Sequence, residues 1–247
     1  MIKFFRRIRQ QLLSQNRFSK YLLYAVGEIV LVMIGILLAL QVNNWNEVRK
    51  QKEKEQSYLL ELKSSLEKDS IKIKDILEFN ENKLKIVRDL MTVFSDTLTN
   101  KQRVEIFFKN ANDFTYYNVF EPSKTAFNNM TSAETINLIS DKNLRNRLSN
   151  YYEFDYTGGV QERIMIINRK VVDNYFPLFF TQEIAERMFN LKTELISNEE
   201  LTIHKNQFLL SELYGIIEII KAQNRTLTLS QEEIRLLIKS INNNLKV

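Results

Sequence analysis

The stretch YLLYAVGEIVLVMIGILLALQV, residues 21–42, decides the fold because it is almost wholly apolar and holds a single carboxylate, Glu28. Coiled into an α-helix at about 1.5 Å per residue, a segment of this length extends about 33 Å, which exceeds the ~30 Å hydrocarbon core of a bilayer. The sequence therefore predicts one transmembrane helix at residues 21–42, with the lipid bilayer as its first partner.

Charge on the two sides of this segment predicts its orientation. Residues 1–20 contain six Lys or Arg and no acid, whereas the four basic residues of 49–54 are offset by nearby glutamates. Because the more basic flank stays in the cytoplasm, residues 1–20 are predicted to be a cytoplasmic basic leader. The side chains predicted to anchor the helix at the membrane interfaces are Arg6, Arg7, Arg9, Lys20, Tyr21 and Trp45.

A cleaved signal peptide is the alternative interpretation of this segment. Signal peptides have an apolar region of about 7–15 residues followed by small residues at the cleavage site. Here the apolar region is longer, and Leu38-Ala39-Leu40-Gln41 lacks the small-x-small pattern. These features favour an uncleaved anchor that holds residues 43–247 outside the cytoplasm.

Composition argues against several classes of function. The net charge of +5 comes from the first 42 residues, since residues 43–247 carry 29 basic and 29 acidic side chains, so a nucleic-acid-binding role lacks its electrostatic footprint. The chain has no Cys to form thiolate metal sites, no phosphate-binding glycine loop and no HExxH motif. The only histidine, His204, is interpreted as structural. We therefore expect no enzymatic activity, no cofactor, no bound metal and no nucleic-acid partner.

Scarcity of helix breakers predicts an all-α fold, because the chain contains only five Gly and two Pro. Residues 43–98 are predicted to form a stalk helix and residues 99–247 an extracytoplasmic helical bundle. Polar residues Asp69 and Asn80 interrupt the apolar pattern of the stalk, so a bundle or stalk helix is preferred over a sustained coiled coil. The apolar positions recur at helical spacing: Leu59, Leu62, Leu66, Ile73, Ile76, Val87, Leu90 and Phe94.

Capping patterns predict where the later helices begin and end. Thr131–Glu134, Ser197–Glu200 and Ser230–Glu233 each match the capping box, and Asp141 is a further candidate N-cap. A helix is expected to follow the Gly158-Gly159 pair and to stop or kink at Pro177. Two separate apolar stripes, at 203–220 and 234–241, predict two further helices.

Glu28 is the position that suggests a mechanism. A carboxylate within an apolar span is costly and raises a functional hypothesis by default. Helical spacing places it on one face with small residues, which let two helices approach closely. The predicted transmembrane interface consists of Ala25, Glu28, Val32, Gly35 and Ala39. Two other interpretations remain: a proton- or ion-responsive group that works with a larger partner, and a side chain that reaches the inner headgroups.

Two blocks carry a resemblance to a known family. They are FFRRIRQQLLSQNRFSKYLLYAVGEIVLVMIGILLALQVNNWNE, residues 4–47, and SKTAFNNMTSAETINLISDKNLRNRLSNYY, residues 123–152. Both resemble a family of bacterial, membrane-anchored proteins of unknown function. The resemblance implies a bacterial inner membrane with the large domain in the periplasm, and it implies no activity or catalytic residues.

These patterns predict a non-enzymatic membrane protein that acts by interaction, as a homo-oligomer or with other membrane proteins of an envelope complex. The alternatives are a ligand-sensing periplasmic domain that signals through a partner and, more weakly, a carboxylate-dependent hydrolase. Aromatic residues between Tyr116 and Phe180 are expected to be core packing, with an aromatic-lined pocket or partner surface as the alternative.

Overall fold

The computed structural model describes residues 18–245, and within this range the chain forms helices joined by turns and no strands. This confirms the all-α prediction. The chain divides into two compact units, Met1–Gln56 and Ser57–Val247. The α-helices are α1 (Phe18–Met91), α2 (Asn100–Thr115), α3 (Thr125–Ser132), α4 (Lys142–Glu153), α5 (Val160–Tyr175), α6 (Gln182–Phe189) and α7 (Gln207–Leu245).

The described part of the first unit is the N-terminal portion of α1. This portion is long and apolar enough to cross a membrane, and none of its most apolar 18-residue window is buried. Lys20 and Tyr21 lie near the start of α1, and Trp45 is exposed. The predicted anchors Arg6, Arg7 and Arg9 lie outside the described residues.

In the second unit, α1 and α7 pack side by side in opposite directions. The early positions of α1, such as Leu59, share a core with late positions of α7, such as Ile241. Conversely, Leu90 near the end of α1 shares a second core with Leu213 near the start of α7. Helices α3 and α4 complete the first core, and α2, α5 and α6 complete the second.

The core-facing stripe of α1 continues without a break in burial through Asp69 and Asn80, the two positions where its apolar pattern is interrupted as predicted. Its buried positions alternate at spacings of three and four: Leu59, Leu62, Leu66, Asp69, Ile73, Ile76, Asn80, Lys83, Val87 and Leu90. This spacing keeps every position on one helical face. Asp69 and Asn80 interrupt the apolar character of the stripe but not its burial. The stalk helix was predicted to end at residue 98, whereas α1 ends at Met91 and is followed by a 3₁₀ turn, Thr92–Phe94.

Local capping signals were correct at two of the predicted places. Asp141 accepts hydrogen bonds from the backbone N–H groups of Asn143 and Leu144 at the start of α4. Helix α5 follows Gly159, whose φ of +61° favours glycine, and it gives way to a 3₁₀ turn that contains Pro177. Within the second block of the resemblance, the short helix α3 and the segment Ile139-Ser140-Asp141 precede α4, whose last turn contains Tyr151 and Tyr152.

Two other capping predictions were wrong, and a third was correct in its hydrogen bonds but not in the length of its helix. Thr131 lies near the end of α3, because the chain turns at Glu134 with a φ of +55°. Ser230 lies inside α7, where its hydroxyl donates to the Thr226 carbonyl, so residues 207–245 form one helix instead of two. The capping box at Ser197 does form, but it begins only a single 3₁₀ turn.

Candidate functional site

The predicted transmembrane face lies in the first unit, on α1. Ala25 and Glu28 are half-exposed, and Val32, Gly35 and Ala39 are exposed. A Cβ added at Gly35 would meet no heavy atom within 4 Å. Val32, Gly35 and Ala39 are therefore accessible to a second helix, and the role of all five residues as an interface stays a prediction.

Sequence reasoning missed a set of buried polar side chains in the second unit. They surround an extended connector, residues 116–124, which joins α2 to α3. A connector of this kind presents backbone N–H and C=O groups that must be paired when they are buried. Side chains that hydrogen bond to this connector or its flanking residues belong to Asp69, Lys72, Lys83, Gln161, Asn168 and Gln223, and Asn80 hydrogen bonds to Gln223 behind them. All but Lys72 are buried.

Asp69 holds one end of the connector. Its carboxylate is fully buried and accepts hydrogen bonds from the Ser123 backbone N–H at 2.8 Å and the Tyr151 hydroxyl at 3.0 Å. Lys72 lies 3.7 Å from the carboxylate and donates to the Glu121 carbonyl at 3.2 Å. Burial, together with the negative charge of Asp69, raises the pKa of Tyr151. The tyrosine therefore stays protonated and acts as a donor.

A chain of side-chain amides holds the middle of the connector. Gln161 accepts from the Phe120 backbone N–H at 2.6 Å and donates to the Phe120 carbonyl at 2.9 Å. Gln223 donates to the Gln161 side chain and to the Asn118 carbonyl, both at 3.0 Å, and accepts from Asn80 at 2.7 Å. Phe120 is thereby kept fully buried. The amide chain links α1, α5 and α7 around one residue of the connector.

Lys83 holds the end of the connector that follows α2. Its ammonium donates to the carbonyls of Phe114 and Tyr116 and to the Asn168 side chain, and it lies 4.2 Å from the centre of the Phe114 ring. Burial lowers the pKa of Lys83 to about 7, and the charge of Asp113 opposes this shift in part. Asn168 in turn donates to the Thr115 carbonyl at 2.9 Å.

The chemistry of this network is structural, because its polar atoms bind backbone groups of the chain itself. The signal that would have revealed it is the heptad phase of α1, which puts Asp69, Asn80 and Lys83 at core positions. Among residues 18–245, no group of three or more His, Cys, Asp or Glu is arranged to hold a metal ion.

Most of the aromatic clusters are core, as expected. Phe120, Tyr151, Tyr152, Tyr156 and Phe179 are buried. Exceptions with more than a third of their surface exposed are Tyr116, Phe154 and Phe180. His204 is half-buried on the 3₁₀ turn Ile203–Lys205, where burial lowers its pKa.

One of the exposed rings, Phe154, stands in a surface groove between α4 and α7, which we term the α4–α7 groove. It consists of two neighbouring cavities of about 340 Å³ and 540 Å³ that share Phe154, Tyr156 and Thr226. The Phe154 and Tyr156 rings meet edge to face, with centroids 4.7 Å apart. The smaller cavity continues to the turn at Gly158 and Gly159 and to the buried amides Gln161 and Gln223.

The larger cavity ends at an ion pair between the two helices. Arg147 of α4 donates from Nε to Glu233 of α7 at 2.9 Å, and each side chain is 36% exposed. Other polar groups of this cavity are used locally: Ser230 donates to the Thr226 carbonyl, and Tyr151 donates to Asp69. Burial raises the pKa of Tyr156, and its hydrogen bond with Ser230 offsets part of that rise. The groove thus has an aromatic and aliphatic middle and a charged end.

Comparison with known proteins adds one finding. Residues 28–176 match a family described as a family of unknown function, DUF6090. No curated protein and no solved structure matches the chain. The match runs from Glu28 through α5, so it includes most of the apolar part of α1, the connector and α4, whereas α7 lies beyond it. It covers more than half of the chain and confirms the resemblance to an uncharacterised family. The chain therefore belongs to the DUF6090 family.

Proposed function

We propose that this protein is a membrane-anchored helical protein that acts by protein–protein contact, as a homo-oligomer or a subunit of an envelope complex. The observation that carries the proposal is the apolar part of α1, in which no residue of the most apolar window is buried. Such a surface is strongly unfavourable in water at about 25 cal/mol per Å² of apolar area. Lipid, and in part a second helix, would cover it.

The face with Glu28 supports helix contact within the bilayer. Gly35 and Ala39 are four residues apart and exposed, a spacing that allows close backbone approach. Glu28 lies on the same face, where a polar group crossing to a partner helix avoids exposure to hydrocarbon. We place the N-terminus in the cytoplasm and the second unit in the periplasm of a bacterial inner membrane, on the charge asymmetry of the flanks and the family resemblance.

Two further features support a role in binding. The buried polar groups of the second unit hold its own connector, which accounts for them without a reaction. Exposed apolar side chains also cluster along the segment from Leu178 to Phe208; they include Met188, Phe189, Leu191 and Ile196. Apolar residues gathered in this way are typical of contact surfaces.

Ligand sensing through a partner is the second candidate function, and the α4–α7 groove favours it. Its volume lies in the range of small-molecule sites, and its lining is mainly apolar with a few polar groups at the ends.

Crosslinking of the full-length protein in membranes tests the main proposal. Gly35→Leu fills the close-approach position, so we expect the crosslinked species, whether a homo-oligomer or a complex with another protein, to fall at least about fivefold. Glu28→Gln should reduce it less, because the amide still hydrogen bonds. Val30→Leu is the matched control, since it adds bulk about 200° around the helix from Glu28. Equal crosslinking in all three variants would refute the predicted transmembrane interface.

A further inference from the structure

The α4–α7 groove offers two unlike features, an exposed aromatic ring and an ion pair, that line one cavity. Phe154 is 51% exposed although it is a large apolar ring, and the Tyr156 ring that it meets edge to face is buried. Arg147 and Glu233 line the same cavity as these rings. An exposed ring and a charged pair that line one cavity suit a ligand with an apolar body and a charged head.

The Arg147–Glu233 end of the groove favours a ligand head group that carries both a positive and a negative charge. Arg147 uses only Nε in its bond to Glu233, and within residues 18–245 its two terminal nitrogens donate to no protein acceptor. Glu233 accepts through Oε1, which leaves Oε2 for another donor. The pair is neutral as a whole, so a lone anion would meet the repulsion of Glu233 and a lone cation that of Arg147. Its complement is a dipolar group that carries both charges.

We propose that the α4–α7 groove binds a free α-amino acid with an aromatic or large aliphatic side chain. The ligand carboxylate accepts from the terminal nitrogens of Arg147, a geometry that guanidinium groups favour. The ligand ammonium donates to Glu233. The ligand side chain lies against Phe154 and Leu229, both of which line the cavity and are exposed.

This inference rests on the second candidate function and not on the transmembrane contact. Both walls of the groove belong to the second unit, and none of the residues involved lies in the apolar part of α1. Loss of amino-acid binding and loss of crosslinking through Gly35 are therefore separate outcomes.

Calorimetry on the detergent-solubilised full-length protein tests the inference with three probes. L-Phenylalanine carries both charges, 3-phenylpropanoate lacks the ammonium group, and 2-phenylethylamine lacks the carboxylate. We expect L-phenylalanine to bind and each single-charge analogue to bind at least about tenfold more weakly. Absence of binding at millimolar L-phenylalanine and L-leucine, or equal binding of all three probes, would overturn the inference.

Variants locate the site. Arg147→Gln and Glu233→Gln are each expected to weaken L-phenylalanine binding at least about tenfold, and Phe154→Ala about fivefold or more. Arg235→Gln is the matched control, because it breaks the exposed Glu232–Arg235 pair one turn away on α7, outside the groove lining. Since Phe154 is half-exposed, its replacement keeps the fold even if a charge variant does not. Binding that survives Phe154→Ala and Arg147→Gln unchanged would place the ligand elsewhere.

Discussion

At the scale of single residues, Asp69 and Lys83 show why polar side chains occupy the core stripe of α1. Each is buried, and each hydrogen bonds to backbone atoms at or beside one end of the same connector. A buried charge without such partners costs several kcal/mol, whereas one with good partners fixes the register of the elements it joins. These two residues therefore select one arrangement of the connector at some cost in stability.

Removing the Asp69 carboxylate is expected to destabilise the fold strongly. Asp69→Ala leaves the Ser123 N–H and the Tyr151 hydroxyl without their acceptor, which costs about 2–5 kcal/mol in the free energy of unfolding. Asp75→Ala, on the exposed face of the same helix, is the control and should change stability by less than about 0.5 kcal/mol. Urea unfolding of the solubilised protein measures both; equal effects would refute the role of Asp69.

Lys83 makes stability depend on pH in a defined direction. Its pKa is about 7 in the folded chain against 10.5 when exposed, so the unfolded chain binds more protons between these values. Stability should therefore rise with pH through this window by up to about 1.4 kcal/mol per pH unit, and the gain is lost progressively as pH falls from 10.5 to 7.

The Lys83→Met variant isolates this contribution. It carries no titrating group at the position, so the difference in unfolding free energy between wild type and variant should grow in favour of wild type from about pH 7.5 to pH 9.5. Chemical unfolding at several pH values gives the difference directly. A difference that stays constant with pH would show that Lys83 keeps its ordinary pKa.

At the scale of elements, the connector of residues 116–124 has an irregular backbone whose polar groups are bonded by side chains from α1, α5 and α7. Gln161 serves both polar groups of Phe120, and Gln223 supports Gln161 from α7. Amides bonded in this way open only with the surrounding structure and exchange slowly with solvent.

Hydrogen exchange checks the role of Gln161. In the Gln161→Ala variant we expect the Phe120 amide to exchange at least about tenfold faster than in wild type, since its acceptor is gone. Gln182→Ala, an exposed glutamine at the start of α6, is the matched control and should leave this amide unchanged. If the Phe120 amide already exchanges at the rate of an unprotected peptide in wild type, the connector is not held as described.

The same elements show which parts of the fold the sequence predicts and which it does not. Apolar periodicity predicted the buried face of α1 from Leu59 to Leu90, and local capping chemistry predicted the start of α4 at Asp141. The helix end near Glu134 and the continuity of α7 through Ser230 were missed, because tertiary packing decides whether a capping pattern is used.

The connector and the groove join residues more than 50 positions apart, such as Asp69 with Ser123 and Arg147 with Glu233, and no local pattern relates them.

At the scale of the whole molecule, the two units have different surfaces. The described part of the first is a helix whose apolar side chains are exposed, and the second buries two hydrophobic cores and a polar network. This contrast is what a lipid-embedded anchor and a water-exposed domain require. The DUF6090 match begins within the apolar part of α1 at Glu28 and extends into the second unit, so the family match includes residues of both units.

Placement of the second unit across the bilayer is the central claim, and paired reporters fused after Val247 test it most directly. Alkaline phosphatase is active only outside the cytoplasm, and a green fluorescent protein exported through the general secretory route does not fluoresce. The account predicts membrane-bound phosphatase activity and no fluorescence from the respective fusions. Bright fluorescence with inactive phosphatase, or recovery of either fusion in the soluble fraction, would contradict it.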